Sequence, residues 1–379
     1  MHWRLLLSAA LCAAARGAPA PFGTGINLGN TLDAPHEGDW APAAQESFVA
    51  AFAAAGFSTM RLPVTWDAHT APSPPYAIAP EFLARVQTVA NWSVARGLQT
   101  IVNSHHDEWL DVADDALFQA RLPRFQAIWR QVAAAFEGWP ALLVFETYNE
   151  AHNMSTRSLN AMQAAVAAAV RPAHPTRTLI VGGGAWMGIW WLLQHGPGSA
   201  EPLLLPPLGD GSPDPNLAVE VHNYDPFHFT TPPIDASLSW GSPSDEATLA
   251  HLFDSAVAWA AGMRPAGPPL PLFLGEFGCS VLQPNAANRS AWYSSYARQA
   301  RASGMAGLLI WDDDGCEFFP RERERPSPQL NLNDALFLPP SPPPPRFPRV
   351  QDVRQGHWHL GRGRAARHWP AEVKEGGGL

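Results

Sequence analysis

Two glutamates, each closing a short apolar run, are the residues of this chain best suited to chemistry. Glu150 ends Leu142-Leu143-Val144-Phe145-Glu146-Thr147-Tyr148-Asn149-Glu150, and Glu276 ends Pro271-Leu272-Phe273-Leu274-Gly275-Glu276. An acid at the end of a buried strand sits in a dry, fixed position. There one carboxyl can stay protonated while its neighbour ionises, which is the equipment of a paired-carboxylate hydrolase. The plainer alternative is two strand-end acids that cap helices or pair with arginines. Whether the two can meet depends on the elements that carry them.

From Gly25 onward, short apolar runs alternate with alanine-rich amphipathic stretches, the pattern of repeated βα units. Strands are expected near residues 25–28, 59–62, 99–103, 142–146, 178–181, 218–221, 272–275 and 306–310. Helices are expected near 43–55, 80–96, 123–136, 158–170, 245–263 and 288–303, several opened by proline or serine and closed by Gly56, Gly97 or Gly304. Eight such strands predict a single (β/α)8 TIM barrel, whose functional groups gather at the C-terminal strand ends. Six strand ends obey that rule. They carry Arg61; Asn103-Ser104-His105-His106-Asp107; Asn149-Glu150; His222-Asn223-Tyr224; Glu276; and Trp311-Asp312-Asp313-Asp314.

Composition narrows the chemistry. A chain of 379 residues can bury one barrel-sized core, and a formal charge of −9 without a basic concentration in the core argues against nucleic acid as a partner. The only lysine is Lys374, so the barrel has no amine for Schiff-base chemistry. Sixteen tryptophans exceed the needs of one core, and their flat faces suit pyranose rings. Residues 1–17 read as a signal peptide, with Arg4 ahead of the apolar run Leu5–Ala15 and a small-residue cut after Gly17; secretion to the extracellular side is the expectation. Cys279 and Cys316 then remain, and neighbouring strand-end loops would let them form a disulfide across the barrel rim. Residues 22–338 form the expected catalytic domain. Residues 339–379, rich in Pro, Arg and Gly, are expected to be a short disordered C-terminal tail.

Taken in order, Gly25-Ile26-Asn27-Leu28-Gly29-Asn30, Gly56 to Val64, His105-His106-Asp107, Tyr148-Asn149-Glu150, His222 to Phe227, Gly275-Glu276-Phe277-Gly278 and Ile310-Trp311-Asp312 resemble the cellulase-type glycoside hydrolases of family 5, from roughly Gly25 to Leu338. Ala151 stands where many relatives have proline. The resemblance implies Glu150 as general acid/base and Glu276 as nucleophile, with Arg61 and Tyr224 keeping Glu276 charged and aimed. It implies Asn149 on the sugar 2-hydroxyl, His222 beside the acid/base, His105 and His106 on the glycone side, and Trp311 as the floor under the sugar. Asn30, Asp33 and Trp40 would reach outer glycone groups, and Trp109 and Trp240 would add stacking faces in the cleft. A retaining pair is expected about 5 Å apart, with an ionised Glu276 helping Glu150 keep its proton.

The implied function is a retaining endo-β-1,4-glucanase, acting as a monomer on a β-glucan polysaccharide or oligosaccharide with no cofactor and no membrane partner. Mannan, xyloglucan or mixed-linkage glucan are alternative substrates, and a non-catalytic barrel that binds wall glycans is a second class. A third is a metal hydrolase built on His105, His106, Asp107, Asp111, Asp114, Asp115 and Asp312–Asp314, since these are ordinary ligand types. The spacing of the histidines does not fit the metal-dependent barrels, and no metal is expected. Gly182-Gly183-Gly184 lacks the Lys-Ser or Lys-Thr of a phosphate loop.

Overall fold

The computed structural model describes residues 22–265 and 269–311. The signal-peptide segment, Asp312–Asp314, Cys316 and the 339–379 tail lie outside these residues, and with them the proposed Cys279–Cys316 bridge. Eight parallel strands close in sequence order: β1 (Gly23–Asn27), β2 (Thr59–Leu62), β3 (Gln99–Val102), β4 (Leu143–Glu146), β5 (Leu179–Gly182), β6 (Leu217–His222), β7 (Leu272–Phe277) and β8 (Gly307–Ile310), with β8 pairing back onto β1. Each lies within two residues of its expected place.

Six long helices pack outside: α1 (Glu46–Ala54), α2 (Pro80–Val94), α3 (Asp115–Ala135), α4 (Thr156–Val170), α5 (Pro243–Met263) and α6 (Ala286–Ser303). One departs from expectation. Helix α3 starts eight residues before Pro123, because Asp114 caps it by accepting the N–H groups of Ala116 and Leu117 at 2.8 and 3.1 Å. Pro123 therefore lies inside the helix rather than opening it. After β5 the chain makes only short turns of helix, Gly184–Met187 and Ile189–Gln194. Among the described residues no helix is long and apolar enough to cross a membrane.

The pleat of the strands sorts the interior into layers. Phe22, Ile101, Val144, Ile180, Ala218, Phe273 and Leu309 form an apolar plug inside the barrel, where the Phe22 and Phe273 rings stack at 3.9 Å. Gly25 leaves the room they need, since a Cβ there would meet Leu309 Cγ at 2.7 Å. Two residues further along β3, β4 and β6 the same inward face carries Asn103, Glu146 and Glu220, and the two after that on β6 bring His222. The other strand faces pack on the helices in a second, larger core. The apolar plug thus supports a polar layer at the C-terminal end.

Candidate active site

Arg61, fully buried on β2, is the hub of that polar layer. Its Nε and Nη2 donate to the two oxygens of Glu146 at 2.7 Å each, Nη2 also donates to Asn149 Oδ1 at 2.7 Å, and Nη1 donates to Asn27 Oδ1 at 2.9 Å and Glu276 Oε1 at 2.6 Å. All five N–H groups are thereby engaged. Asn27 in turn donates to the carbonyls of Gly275 and Ile310, tying β1 to β7 and β8. Glu276 accepts a second hydrogen bond on Oε2 from the Tyr224 hydroxyl at 2.9 Å.

Glu150 stands across from this group. Its Oε1 lies 2.7 Å from His222 Nδ1, and one oxygen each of Glu150 and Glu276 lie with a ring nitrogen of His222 inside a 4.8 Å circle. The backbone at Glu150 is left-handed, φ +50°, a costly conformation for a non-glycine residue that surrounding bonds must impose. Those bonds come largely from Asp111. Its buried carboxylate accepts the N–H groups of His152, Asn153 and Met154 at 2.8–3.1 Å, pinning the loop that follows Glu150.

The charges follow from burial and neighbours. Burial alone would push Glu146 up, but Arg61 outweighs it and holds that carboxyl below its ordinary range. For Glu276 burial prevails, moving the carboxyl up against the pull of His222, Arg61 and Tyr224. The expected influence of Arg61 and Tyr224 is present and is smaller than the cost of burying the charge. Burial opposes the charge on His222, yet Glu276, Glu150 and Glu220 together lift it to about 10. His105 goes the opposite way: burial, aided by the nearby His106, Arg61 and His222, keeps it well below the usual imidazole range.

The aromatic groups divide. His105 and Trp311 lie parallel at 5.6 Å, His106 meets His105 edge-on at 4.5 Å, and the exposed Trp40 meets His106 edge-on at 5.4 Å, so these four form one continuous wall. Trp109 donates from Nε1 to Asp107 Oδ1 at 3.3 Å, one residue beyond His106 in the chain, and Trp240 contacts α6. Trp109 has the Arg124 guanidinium over its ring at 4.4 Å and packs on Phe125, while Trp240 donates to Ser295 Oγ on α6 and leans on Tyr296. Asp33 is buried with both oxygens accepting the N–H groups of Asn30 and Thr31, which shapes the loop after β1; burial raises its carboxyl to about 6 despite those bonds.

The acids of the metal alternative have other employment. Asp111 pins the Glu150 loop, Asp114 caps α3, and Asp115 accepts the hydroxyls of Ser155 and Ser158. Asp33, His105 and His106 do bring one ligand-type atom each within 4.8 Å of one another, but the Asp33 oxygens are spent on backbone and His105 Nδ1 lies 3.1 Å from the Asn103 amide nitrogen.

Residues 19–313 match the cellulase family, glycosyl hydrolase family 5. The chain belongs to this family of glycoside hydrolases. It is similar to Endoglucanase H of Acetivibrio thermocellus, 35% identical over 293 residues that make up 77% of this chain and 29% of that protein. It is also similar to the cellulase/esterase CelE of the same organism, 30% identical over 77% of this chain and 35% of that protein. The chain thus spans about a third of the length of these two curated relatives. Among solved structures, a hyperthermophilic endo-β-1,4-glucanase in complex with substrate superposes with a TM-score of 0.72 at 27% identity, over 83% of this chain and 97% of that one. Thermotoga maritima Cel5A in complex with mannotriose gives 0.66 at 29%, over 77% and 90%.

Within this family 5 barrel, several side chains of the polar layer escaped the sequence reading. Asn27 and Glu146 close β1 and β4 and Glu220 lies within β6, and each is the polar residue of an otherwise apolar run, which is the signal that could have found them: a buried polar residue on a parallel-barrel strand must be paired inside the barrel. Trp186 and Trp190 were also missed. Trp186, at φ +58° between Ala185 at +47° and Met187 at +55°, stacks on His152 at 4.7 Å with planes 6° apart. Trp190 is half-exposed and donates to Asp225 Oδ2 at 3.3 Å.

Proposed function

We propose that this chain is an endo-β-1,4-glucanase that cleaves β-glucosidic bonds with retention, using Glu276 as nucleophile and Glu150 as acid/base. The observation that carries the reading is the close approach of the two carboxyl groups, within 4.8 Å, which leaves no room for a water between acid and sugar on the nucleophile's side. In the first displacement Glu276 Oε attacks the anomeric carbon as Glu150 gives its proton to the departing glycosidic oxygen. In the second, Glu150 takes a proton from water, whose oxygen attacks the same carbon and releases Glu276.

Each neighbour has a task in that cycle. Arg61 and Tyr224 fix one Glu276 oxygen each, so the carboxylate is aimed rather than free to rotate. Asn149, oriented by Arg61, is set to meet the 2-hydroxyl. The Trp40–His106–His105–Trp311 wall offers stacking and edge contacts to glycone rings, while Trp186, stacked on His152 just after Glu150, and the exposed Trp190 offer faces to leaving-group sugars. Secretion and action on extracellular glycan belong to the same proposal. Mannan is a second substrate reading, supported by the mannotriose complex of Thermotoga maritima Cel5A.

The test is hydrolysis of a panel of soluble β-glucans and mannans, with the anomer of the first product followed by proton NMR. A β-product and loss of turnover in both Glu150→Gln and Glu276→Gln are expected. An α-product would remove Glu276 as nucleophile.

A further inference from the structure

Beneath the catalytic pair lies an acid with no task in the cycle above. Glu220, fully buried on β6, points Oε1 at two groups: His222 Nε2 at 3.2 Å and Arg61 Nε at 3.1 Å. Its Oε2 is buried and makes no hydrogen bond to any described residue. The neighbouring strand makes way for it, since a Cβ at Gly275 would fall 1.7 Å from Glu220 Oε1. Charge balance on Arg61 does not account for this acid, because Glu146 and Glu276 already take the guanidinium and its five N–H groups have other acceptors. A buried carboxyl with one idle oxygen is a cost that needs a return.

We propose that Glu220 is a positioning residue for the acid/base: it holds the second ring proton of His222, so that the imidazole stays charged with Nδ1–H directed at Glu150. This rests on Glu150 being the acid/base. The ring lies between carboxyl oxygens at both nitrogens, and each nitrogen serves its oxygen as a donor only when both carry hydrogen. The other groups facing the pair are Arg61 on β2, His105 after β3, Glu146 and Glu150 on and after β4, and Glu276 on β7; β5 contributes only Leu179–Gly182. Burial, aided by Glu146, raises Glu220 to about 7 against Arg61 and His222, while His222 is lifted to about 10, so the proton of the 3.2 Å contact belongs to the ring. When Glu150 gives its proton to the leaving oxygen, the charged ring steadies the carboxylate left behind. When Glu150 later takes a proton from water, the ring proton stays on Nδ1 because Glu220 still holds Nε2.

The experiment is nitrogen-15 histidine NMR with a pH–rate profile, on the parent and on Glu220→Gln, whose amide oxygen still accepts Nε2–H but carries no charge. His222 is assigned by the resonance lost in His222→Asn. Expected are a doubly protonated ring in the parent at pH 7 and a His222 titration moved to lower pH in Glu220→Gln, where Glu276 and Glu150 still face the ring. The ring's loss of charge then enters the alkaline side of the kcat profile at lower pH than in the parent, and kcat falls about tenfold with KM little changed. A neutral ring in the parent, an unmoved His222 titration in the variant, or superimposable pH profiles would each overturn the proposal. Should Glu220→Gln not fold, the parent titration decides alone. The NMR needs no turnover, so failure to cleave any glycan tested, or turnover surviving Glu150→Gln, identifies an error in the functional reading and not in the Glu220–His222 pair.

Discussion

Arg61 Nη1 stands 2.6 Å from Glu276 Oε1, the shortest link between the buried charge cluster and the catalytic pair. Burial moves the Glu276 carboxyl up from 4.5 and Arg61 pulls it back. The nucleophile must be ionised, so activity is lost as pH falls through that raised value, and the acidic limb of kcat/KM is expected above the ordinary carboxylate range. Arg61→Lys keeps one charge but not the fork that serves Glu146, Asn149 and Glu276 together. The acidic limb should move to still higher pH and kcat/KM fall about 10²-fold. A limb that stays in place would make the arginine a purely structural residue.

Trp186 and Trp190 give a second prediction. Three consecutive non-glycine residues with φ between +47° and +58° store backbone strain around Trp186, and strain of this kind persists only where neighbouring contacts enforce it. Trp186→Ala and Trp190→Ala should each weaken long oligosaccharides by about 0.5–1.5 kcal/mol, a few-fold to about tenfold in KM, and leave short aryl glycosides nearly unaffected. Equal loss on both substrate lengths would place the residues in loop packing.

The strand plan was legible because a parallel barrel writes each strand as a short apolar run, and its closing polar residue marks the mouth. Glu150, Glu276, Arg61, His222 and Tyr224 were readable as strand-end groups, and the structure bonds Glu276 to Arg61 and Tyr224 and sets Glu150 against His222. Glu146 and Glu220 were not, since a single acid in an apolar run looks like noise until its partner on another strand is known. Trp109 and Trp240 were named from position alone. Position after a strand end says nothing about which way a ring faces, and here Arg124 and Ser295 take them. The start of α3 was misplaced because Pro123 resembles a first-turn proline while the actual cap, Asp114, sits nine residues earlier.

Asp111 offers a third test, one that separates loop order from chemistry. Its carboxylate is the acceptor for three successive N–H groups directly after the strained Glu150 backbone. Asp111→Ala removes all of these acceptors and should cost about 1–3 kcal/mol in stability. It should also lower kcat, because the acid/base is no longer held in place. Asp111→Asn keeps one acceptor oxygen and should recover part of both. Thermal unfolding with kinetics on one soluble glucan reads the two effects; full turnover in Asp111→Ala would show that other contacts suffice to place Glu150.

Gly275 tests the packing beneath the site. It precedes Glu276 on β7, and the space its missing side chain leaves is filled by Glu220, whose Oε1 and Cδ would lie 1.7 and 2.3 Å from an added Cβ. Gly275→Ala should therefore push Glu220 away from His222, overpacking the interior by about 1–3 kcal/mol. If that contact is the cause, shortening the acid relieves it. The double variant Gly275→Ala/Glu220→Ser should be more stable than Gly275→Ala alone, with a coupling of about 0.5–3 kcal/mol in a double-mutant cycle from denaturant unfolding. Additive stabilities would mean that the alanine strains the β7 backbone instead, and that the fit between Gly275 and Glu220 does not limit what this strand can carry.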